Sequence, residues 1–193
     1  MVTTVPSSPP PQPPQPKKKS FFRELPFLVV TAVALALLIR TFAVQAFFIP
    51  SGSMEQTLHG CTGCRGDRVL VEKIGYHLVD PGRGDIVVFE GKGDWPDEDL
   101  IKRVIAVGGQ KVECCDAQGR VTVDGKPLDE PYLFEDNHRK FGPVTVPKGS
   151  LWMMGDHRSM SSDSRDHGPI SVDDVVGRAR IIIWPLPRID WLG

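Results

Sequence analysis

The sequence lacks an excess of charge of either sign. Its 193 residues include 23 Lys and Arg against 24 Asp and Glu, a formal net charge of -1 with histidine neutral. A surface that binds nucleic acid normally shows a clustered basic excess, so we expect no nucleic acid partner. A chain of this length accommodates one sizeable domain and an appendage.

A second long apolar run is also missing. The first run covers residues 27–39 and continues beyond Arg40 to residue 49. A helix needs about 20 residues to cross the hydrocarbon core, whereas the apolar region of a secretory signal has only about 7–15. Because no A-x-A cleavage site follows, we predict a retained transmembrane helix over residues 24–45.

The segment before this run has almost no residues that could form a core. Residues 1–16 are nearly all Pro, Ser, Thr, Gln and Val, and three lysines follow at 17–19. This composition predicts a disordered, Pro-rich, basic tail over residues 1–23. The positive-inside rule places the tail in the cytoplasm and the chain after the helix outside the membrane.

Cysteine is scarce, and its spacing does not match the paired C-x-x-C motifs of a zinc ribbon. An oxidising compartment outside the membrane favours disulfides. We therefore predict bridges within or between two clusters, with all three connectivities open; free thiols and a zinc site are the alternatives. The four residues are Cys61, Cys64, Cys114 and Cys115.

Short β-rich segments separated by Gly and Pro turns fill the second part of the chain. This pattern predicts a mostly β domain, similar to a barrel or a sandwich, over residues 46–193. Ser171 begins a capping-box sequence, which predicts one short helix. The predicted strands are residues 68–73, 85–89, 100–107, 111–113, 120–123, 144–146, 151–154 and 179–184.

Ser53 is a candidate nucleophile at the downstream edge of the apolar run. It follows Gly52 and a second hydroxyl at Ser51 and precedes Met54, so it could lie on a tight turn beside an oxyanion donor. The same residues are also common in ordinary loops.

Lys102 stands in a strand whose two faces are both apolar. Alternation places it with Leu100 and Val104, while Arg103 lies on the opposite face. At least one of these cations is therefore poorly hydrated. Arginine stays charged there, but a desolvated lysine can be neutral near physiological pH and act as a base; the alternative is a lysine paired with a carboxylate.

Residues 153–165 are dense in hydroxyl and charged groups directly after an apolar strand, where a scaffold can present a site. The segment is also consistent with a hydrated loop. A different serine hydrolase would use His157 or His167 as the base, since histidine is the commonest one.

Taken together, these segments resemble the bacterial type I signal peptidase family. The similarity runs from about residue 42 to residue 184. Four ordered segments carry it: residues 51–54 (SGSM), 83–89 (RGDIVVF), 101–104 (IKRV) and 155–165 (GDHRSMSSDSR). Bacterial members use a lysine base and their endoplasmic-reticulum relatives a histidine, so residues 101–104 match the bacterial kind.

The resemblance implies a membrane-bound serine endopeptidase that removes signal peptides from exported preproteins. Ser53 would attack the scissile carbonyl and neutral Lys102 would take its proton. Ser161 would orient the lysine, and the Ser53 N–H with the Ser51 hydroxyl would form the oxyanion hole. Neither a metal nor an organic cofactor is required.

The resemblance also implies a charged framework around the site, in which Asp163 pairs with Arg165 or with Arg103. Its members are Asp156, Arg158, Asp163, Arg165 and Arg103. Several positions depart from the family pattern: His157 stands where Asn is usual, Met160 replaces a residue that is commonly polar, Gln56 stands where many members have Pro, and residues 108–110 (GGQ) replace the common Pro-Gly-Asp.

The implied partners are the lipid bilayer and preproteins with small residues, such as Ala, at the first and third positions before the cut. The implied location is a bacterial cell membrane, with one span and the catalytic domain outside. Candidate walls for the shallow apolar substrate pockets are Met54, Leu58, Ile86 and Ile101. The rival to these enzymes is an inactive membrane-anchored binding or assembly module of the same fold.

Overall fold

The computed structural model describes residues 21–38, 44–61, 63, 65–75 and 79–192. The chain divides into two compact units, Met1–Leu37 and Leu38–Gly193. Residues 1–20 of the predicted tail lie outside the described residues, and so does Cys64.

The described part of the first unit is helix α1 (Phe21–Leu38), which has Glu24 in its first turn and Pro26 inside it. Within the described ranges, no helix combines the length and the apolar character needed to cross a membrane. Large apolar side chains of α1 are nevertheless exposed: Leu25, Phe27, Leu28, Val29, Val30, Val33, Leu35 and Leu37.

The second unit is built from short strands, so the prediction of a mostly β domain is confirmed. Its helical pieces are the short helix α2 (Ser164–His167) and 3-10 turns that include Gly52–Met54 and Arg158–Met160. The strands are β1 (Val44–Phe48), β2 (Arg68–Glu72), β3 (Ile86–Glu90), β4 (Asp99–Val107), β5 (Lys111–Cys114), β6 (Val121–Val123), β7 (Lys126–Pro127), β8 (Phe141–Thr145), β9 (Ser150–Met154), β10 (Ile170–Ser171), β11 (Val175–Trp184) and β12 (Asp190–Trp191).

These strands form two antiparallel sheets. The larger sheet has eight strands in the order β1-β2-β11-β3-β4-β9-β10, with β12 paired to β11. The smaller sheet has four strands in the order β7-β6-β5-β8. The larger sheet therefore places β4 between β3 and β9, away from either edge.

Strand β4 contributes to three apolar clusters. Its Ile101 packs in a cluster with Met54 and Leu58, its Ile105 in a second one and its Val104 in a third. Six successive residues from Ile101 to Ala106 are buried. The two cations in this strand are consequently held in the interior of the domain.

Two sequence predictions about local structure need correction. Residues 44 and 45 belong to β1, where Val44 pairs with Glu72, and not to the end of a membrane helix. The short helix predicted after Ser171 does form, but as a 3-10 helix at Val172–Asp174, in which the Ser171 side chain accepts from the Asp173 N–H. A reciprocal capping box occurs instead at Asp163, where α2 begins.

Candidate active site

Ser53 lies in the middle of the 3-10 turn Gly52–Met54, just after the first strand of the domain. The turn is closed by the Glu55 N–H, which donates to the Gly52 carbonyl at 3.2 Å. Only 6% of Ser53 is exposed, and Met54 is fully buried. The apolar anchor at Met54 thus holds the serine hydroxyl in a nearly enclosed place.

Lys102 reaches this hydroxyl from β4. Its Nζ atom donates a hydrogen bond to the Ser53 Oγ at 2.9 Å, and the residue is 4% exposed. Burial lowers the pKa of Lys102 from 10.5 to about 8, although the negative charge of Asp163 and of two further carboxylates opposes the shift. A lysine with such a pKa is partly neutral near pH 8 and can then accept a proton.

Ser51 precedes the turn in an extended conformation. Its Oγ lies 3.3 Å from the Ser53 Oγ, and the residue is exposed. The two hydroxyls therefore face the same small space. A carbonyl oxygen that developed negative charge there would meet a hydroxyl donor at short range.

Ser161 is half-buried near Ser53, and its hydroxyl does not hydrogen-bond to Lys102. Its Oγ has no hydrogen-bond partner among the described residues. A β-carbon on Gly155 would come within 2.4 Å of both this oxygen and the Ser53 carbonyl oxygen. Gly155 therefore allows the loop after β9 to lie directly against the nucleophile turn.

The first buried ion pair beneath the site joins Arg103 to Asp156. The guanidinium donates to both carboxylate oxygens, with Nε at 2.8 Å and Nη2 at 2.6 Å. The carboxylate also accepts from the Thr57 hydroxyl. Arg103 stacks over the ring of Tyr132 at 3.8 Å, and burial raises the pKa of that tyrosine.

Two more ion pairs hold the loop that follows β9. Asp163 pairs with Arg165 and accepts from the Gly155 N–H at 3.1 Å. Arg158 pairs with Glu130, and its Nε donates to the Gly155 carbonyl at 3.0 Å. The sequence left two possible partners for Asp163. The structure pairs it with Arg165, whereas Arg103 pairs with Asp156.

Neither candidate histidine contacts the nucleophile hydroxyl. The ring nitrogens of His157 lie 3.1 Å from the Gly52 carbonyl and 3.2 Å from a Glu135 carboxylate oxygen. The Nε2 of His167 lies 2.6 Å from the Ser162 hydroxyl. The Ser53 hydroxyl thus contacts a lysine amine and neither of these histidines.

The four apolar residues expected around the substrate lie in one buried cluster next to the nucleophile. Ile86 also lines a cavity of about 430 Å³, together with Thr57, Arg103 and the C-terminal segment around Trp191. The members of this set are Met54, Leu58, Ile86 and Ile101, exposed by 0, 0, 4 and 8% respectively.

Cys61 lies in the loop between the Gly52–Met54 turn and β2, and Cys114 is the last residue of β5 in the smaller sheet. Cys114 and Cys115 are joined to each other by a disulfide. Cys61 is also disulfide-bonded. In the part of the chain that is described, no three His, Cys, Asp or Glu side chains are grouped so as to hold a metal ion.

Sequence reasoning missed several residues that support the site. Glu130, Tyr132 and Glu135 come from the segment between β7 and β8, which has no regular periodicity. Their partners are Arg158, Arg103 and His157. An excess of charged and aromatic residues in that loop was the available signal, but it does not specify pairs.

Comparison with known proteins gives a consistent result. Residues 22–184 match the family model described as "Signal peptidase, peptidase S26". The chain is 40% identical to a "Probable signal peptidase I" of Mycobacterium leprae over 92% of this chain and 81% of that protein. It is 41% identical to a "Signal peptidase I" of Mycobacterium tuberculosis over 89% of this chain and 75% of that protein.

The solved structures that are similar include a signal peptidase I from Enterococcus faecalis. It is 28% identical to this chain and covers 51% of it and 96% of its own length, with a TM-score of 0.45.

Proposed function

The chain belongs to the signal peptidase family, peptidase S26, and is a peptidase that removes signal peptides; we propose that it does so with Ser53 as nucleophile and Lys102 as general base. The observation that carries this proposal is the 2.9 Å hydrogen bond between the two side chains. The lowered pKa of Lys102, about 8, supports it.

In the proposed acylation step, neutral Lys102 takes the Ser53 proton while the oxygen attacks the scissile carbonyl. The tetrahedral intermediate is stabilised by the Ser53 N–H and the Ser51 hydroxyl. Collapse breaks the peptide bond, and the Lys102 ammonium gives its proton to the departing amine. Water then attacks the acyl-enzyme carbonyl while Lys102 takes its proton; the bond to the Ser53 oxygen breaks, the signal peptide leaves with a new C-terminal carboxyl group, and Lys102 returns the proton to Ser53.

The surrounding residues act as support in this proposal. The Ser161 hydroxyl, buried beside Gly155, is available to orient the lysine amine by a small rotation. The ion pairs beneath the site hold the loop that carries it. Removal of any one of these carboxylates leaves a buried arginine without its partner, which is costly.

The proposed substrates are preproteins with small residues at the first and third positions before the cut. Met54, Leu58, Ile86 and Ile101 form an apolar surface beneath the nucleophile, so they would limit the size of the side chains admitted. An extended substrate would gain affinity by backbone pairing with a strand edge.

We also propose that the segment beginning at residue 24 anchors the enzyme in the cell membrane, with the N-terminus in the cytoplasm and the catalytic domain outside. The apolar side chains exposed along α1 support this anchor. The lysines at 17–19 support the orientation. Sequestration at the bilayer would bring the site close to substrates that are themselves held there by their signal segments.

The direct test uses the purified full chain in detergent and a preprotein that carries one Ala-x-Ala site. Mass spectrometry of the products should show one new N-terminus directly after the second Ala with wild type, and none with Ser53→Ala. If the wild-type protein binds preproteins but leaves them intact, the rival binding module is the correct description.

A further inference from the structure

The imidazole of His157 is buried between two hydrogen-bond acceptors. Its Nδ1 lies 3.1 Å from the Gly52 carbonyl oxygen, and its Nε2 lies 3.2 Å from the Glu135 Oε2. The histidine side chain is 7% exposed, whereas Glu135 is 64% exposed. The ring of Phe134 packs against the imidazole with the ring centres 4.8 Å apart.

The Gly52 carbonyl, which also accepts from the Glu55 N–H, accepts from the imidazole when Nδ1 carries the hydrogen. The other ring nitrogen lies at hydrogen-bond distance from the Glu135 carboxylate, so that contact is charge-assisted on the acceptor side. Charge-assisted hydrogen bonds of this kind are stronger than neutral ones. His157 therefore links the exposed carboxylate of Glu135 to the turn that carries Ser53.

The Gly52 carbonyl and the Ser53 N–H belong to one peptide unit. Because a peptide unit is planar and trans, fixing its oxygen also fixes the direction of its N–H. That N–H is the backbone donor of the oxyanion hole in the proposed mechanism. A hydrogen bond at the oxygen also polarises the unit and strengthens the N–H as a donor.

The backbone of His157 holds the next peptide unit as well. Its N–H donates to the Ser53 carbonyl oxygen at 3.1 Å. One residue thus engages two successive carbonyls of the nucleophile turn. The backbone of Glu135 is also fixed, because its carbonyl accepts a hydrogen bond from the Ser159 N–H at 3.0 Å.

We infer that His157 is a positioning residue that aims the Ser53 N–H at the reacting carbonyl, and that Glu135 acts through it. The inference deepens the proposed function and rests on it. Orientation of an oxyanion donor matters in the transition state and little in the ground state. Loss of the imidazole should therefore lower kcat and leave KM nearly unchanged.

The first experiment compares His157→Ala and His157→Asn with wild type in cleavage of the Ala-x-Ala preprotein. We expect His157→Ala to lower kcat by about 30-fold, less than the roughly 100- to 1000-fold loss on deleting an oxyanion donor outright, with KM within about twofold. His157→Asn, whose amide N–H can still reach the Gly52 carbonyl, should recover kcat to within about fivefold of wild type.

A peptide aldehyde ending in Ala supplies a readout that simple loosening of the loop would not produce. Its adduct with Ser53 carries the oxyanion, so its affinity should fall by the same factor as kcat in His157→Ala. The matched control is His138→Ala, because that histidine lies in the same segment as Glu135 and is 70% exposed. The control should match wild type in both readouts.

A double-mutant cycle tests whether Glu135 acts through the histidine. Glu135→Ala should lower kcat about threefold in the wild-type background and have no effect in the His157→Asn background. This arm keeps the inference testable if His157→Ala fails to fold. Any of three results overturns the inference. They are equal effects of Glu135→Ala in the two backgrounds, a kcat for a folded His157→Ala within about threefold of wild type, and a loss confined to KM.

Comparison with the wild-type reaction distinguishes failure of the positioning role from failure of the proposed function. If wild type cuts and Ser53→Ala does not, while His157→Ala cuts as fast as wild type, the positioning role is wrong and the proposed function stands. If Ser53→Ala cuts as well as wild type, the proposed function fails and the inference is overturned with it.

Discussion

Ser53 and Lys102 are 49 residues apart in the chain, and their side-chain atoms meet at 2.9 Å inside the protein. The 3-10 turn after β1 presents the hydroxyl, and the central strand β4 presents the amine. Burial of the amine lowers the pKa of Lys102 to about 8. The contact that suits the reaction therefore opposes stability, because the charged amine is held away from water.

Replacement of Lys102 by Met should make the protein more stable at pH 7. The folded state binds a proton less readily than the unfolded state, whose lysine has a pKa of 10.5. Lys102 therefore costs up to about 3 kcal/mol of unfolding free energy below pH 8, and the cost disappears as the pH rises from 8 to 10.5.

Urea unfolding of wild type and Lys102→Met between pH 7 and 10.5 tests this prediction. The stability difference should be largest at pH 7 and shrink towards pH 10.5. Lys111→Met, at a lysine with 51% exposure, is the control and should change stability by less than about 0.5 kcal/mol. A gap between wild type and Lys102→Met that does not change with pH contradicts the prediction.

Gly155→Ala should impair the site directly. The added β-carbon would lie 2.4 Å from both the Ser161 Oγ and the Ser53 carbonyl oxygen, which is closer than atoms can approach. Either the loop or the nucleophile turn must shift. A displacement of about 1 Å can cost roughly 100-fold in rate, so kcat should fall to about that extent while the thermal midpoint drops only moderately.

Gly119→Ala is the comparison for backbone effects, because it stands in the smaller-sheet region with nothing closer than 3.1 Å to an added β-carbon. It should lose stability through its positive φ but keep its rate of cleavage. Full activity in Gly155→Ala would show that the loop and the turn are less tightly packed than described.

Asp156→Ala should be strongly destabilising. It leaves Arg103 buried and unpaired, for which about 3–5 kcal/mol is typical. The side chains of this pair are 9% and 1% exposed. The double variant Arg103→Met, Asp156→Ala should be less destabilised than the sum of the single variants, as measured by urea unfolding.

The exposed pair of Lys92 and Asp174, at 55% and 20% exposure, is the matched control. Asp174→Asn should cost far less stability than Asp156→Ala, because solvent screens the exposed pair. If the two pairs show equal costs, burial is not the reason that the Arg103–Asp156 pair matters.

Ser51→Ala should lower kcat about 100-fold without changing KM, because it removes one proposed oxyanion donor, worth about 2.7–4 kcal/mol of barrier. Ser51→Thr keeps the hydroxyl and should retain most of the activity. Rates are measured by quantifying mature product over time. A Thr variant as slow as the Ala variant would indicate that the side chain acts by its shape and not as a donor.

The sequence predicted those parts of the fold that depend on local pattern. The segments 85–89, 100–107 and 151–154 correspond to β3, β4 and β9 within one residue at either end. The two apolar faces of β4 correctly indicated buried cations, since Lys102 and Arg103 are 4% and 7% exposed. The pattern was informative there because apolar clusters pack against both faces of β4.

The remainder depends on tertiary contacts that leave no local signal. Val44–Phe48 is apolar and aromatic, which suits a membrane helix as well as a strand, and pairing with β2 decides between them. Glu130 lies in an irregular loop, so nothing near it in the sequence indicates the ion pair with Arg158. The same holds for Glu135, whose partner His157 belongs to another part of the chain.

The pH dependence of preprotein cleavage tests the central claim most directly. The rate for wild type should rise as the pH passes through about 8, where Lys102 loses its proton, and then level off. Ser53→Ala and Lys102→Ala should release no mature product at any pH from 6 to 10. Cleavage by Lys102→Ala, or a wild-type rate that falls between pH 7 and 9, would contradict the Ser53 and Lys102 mechanism.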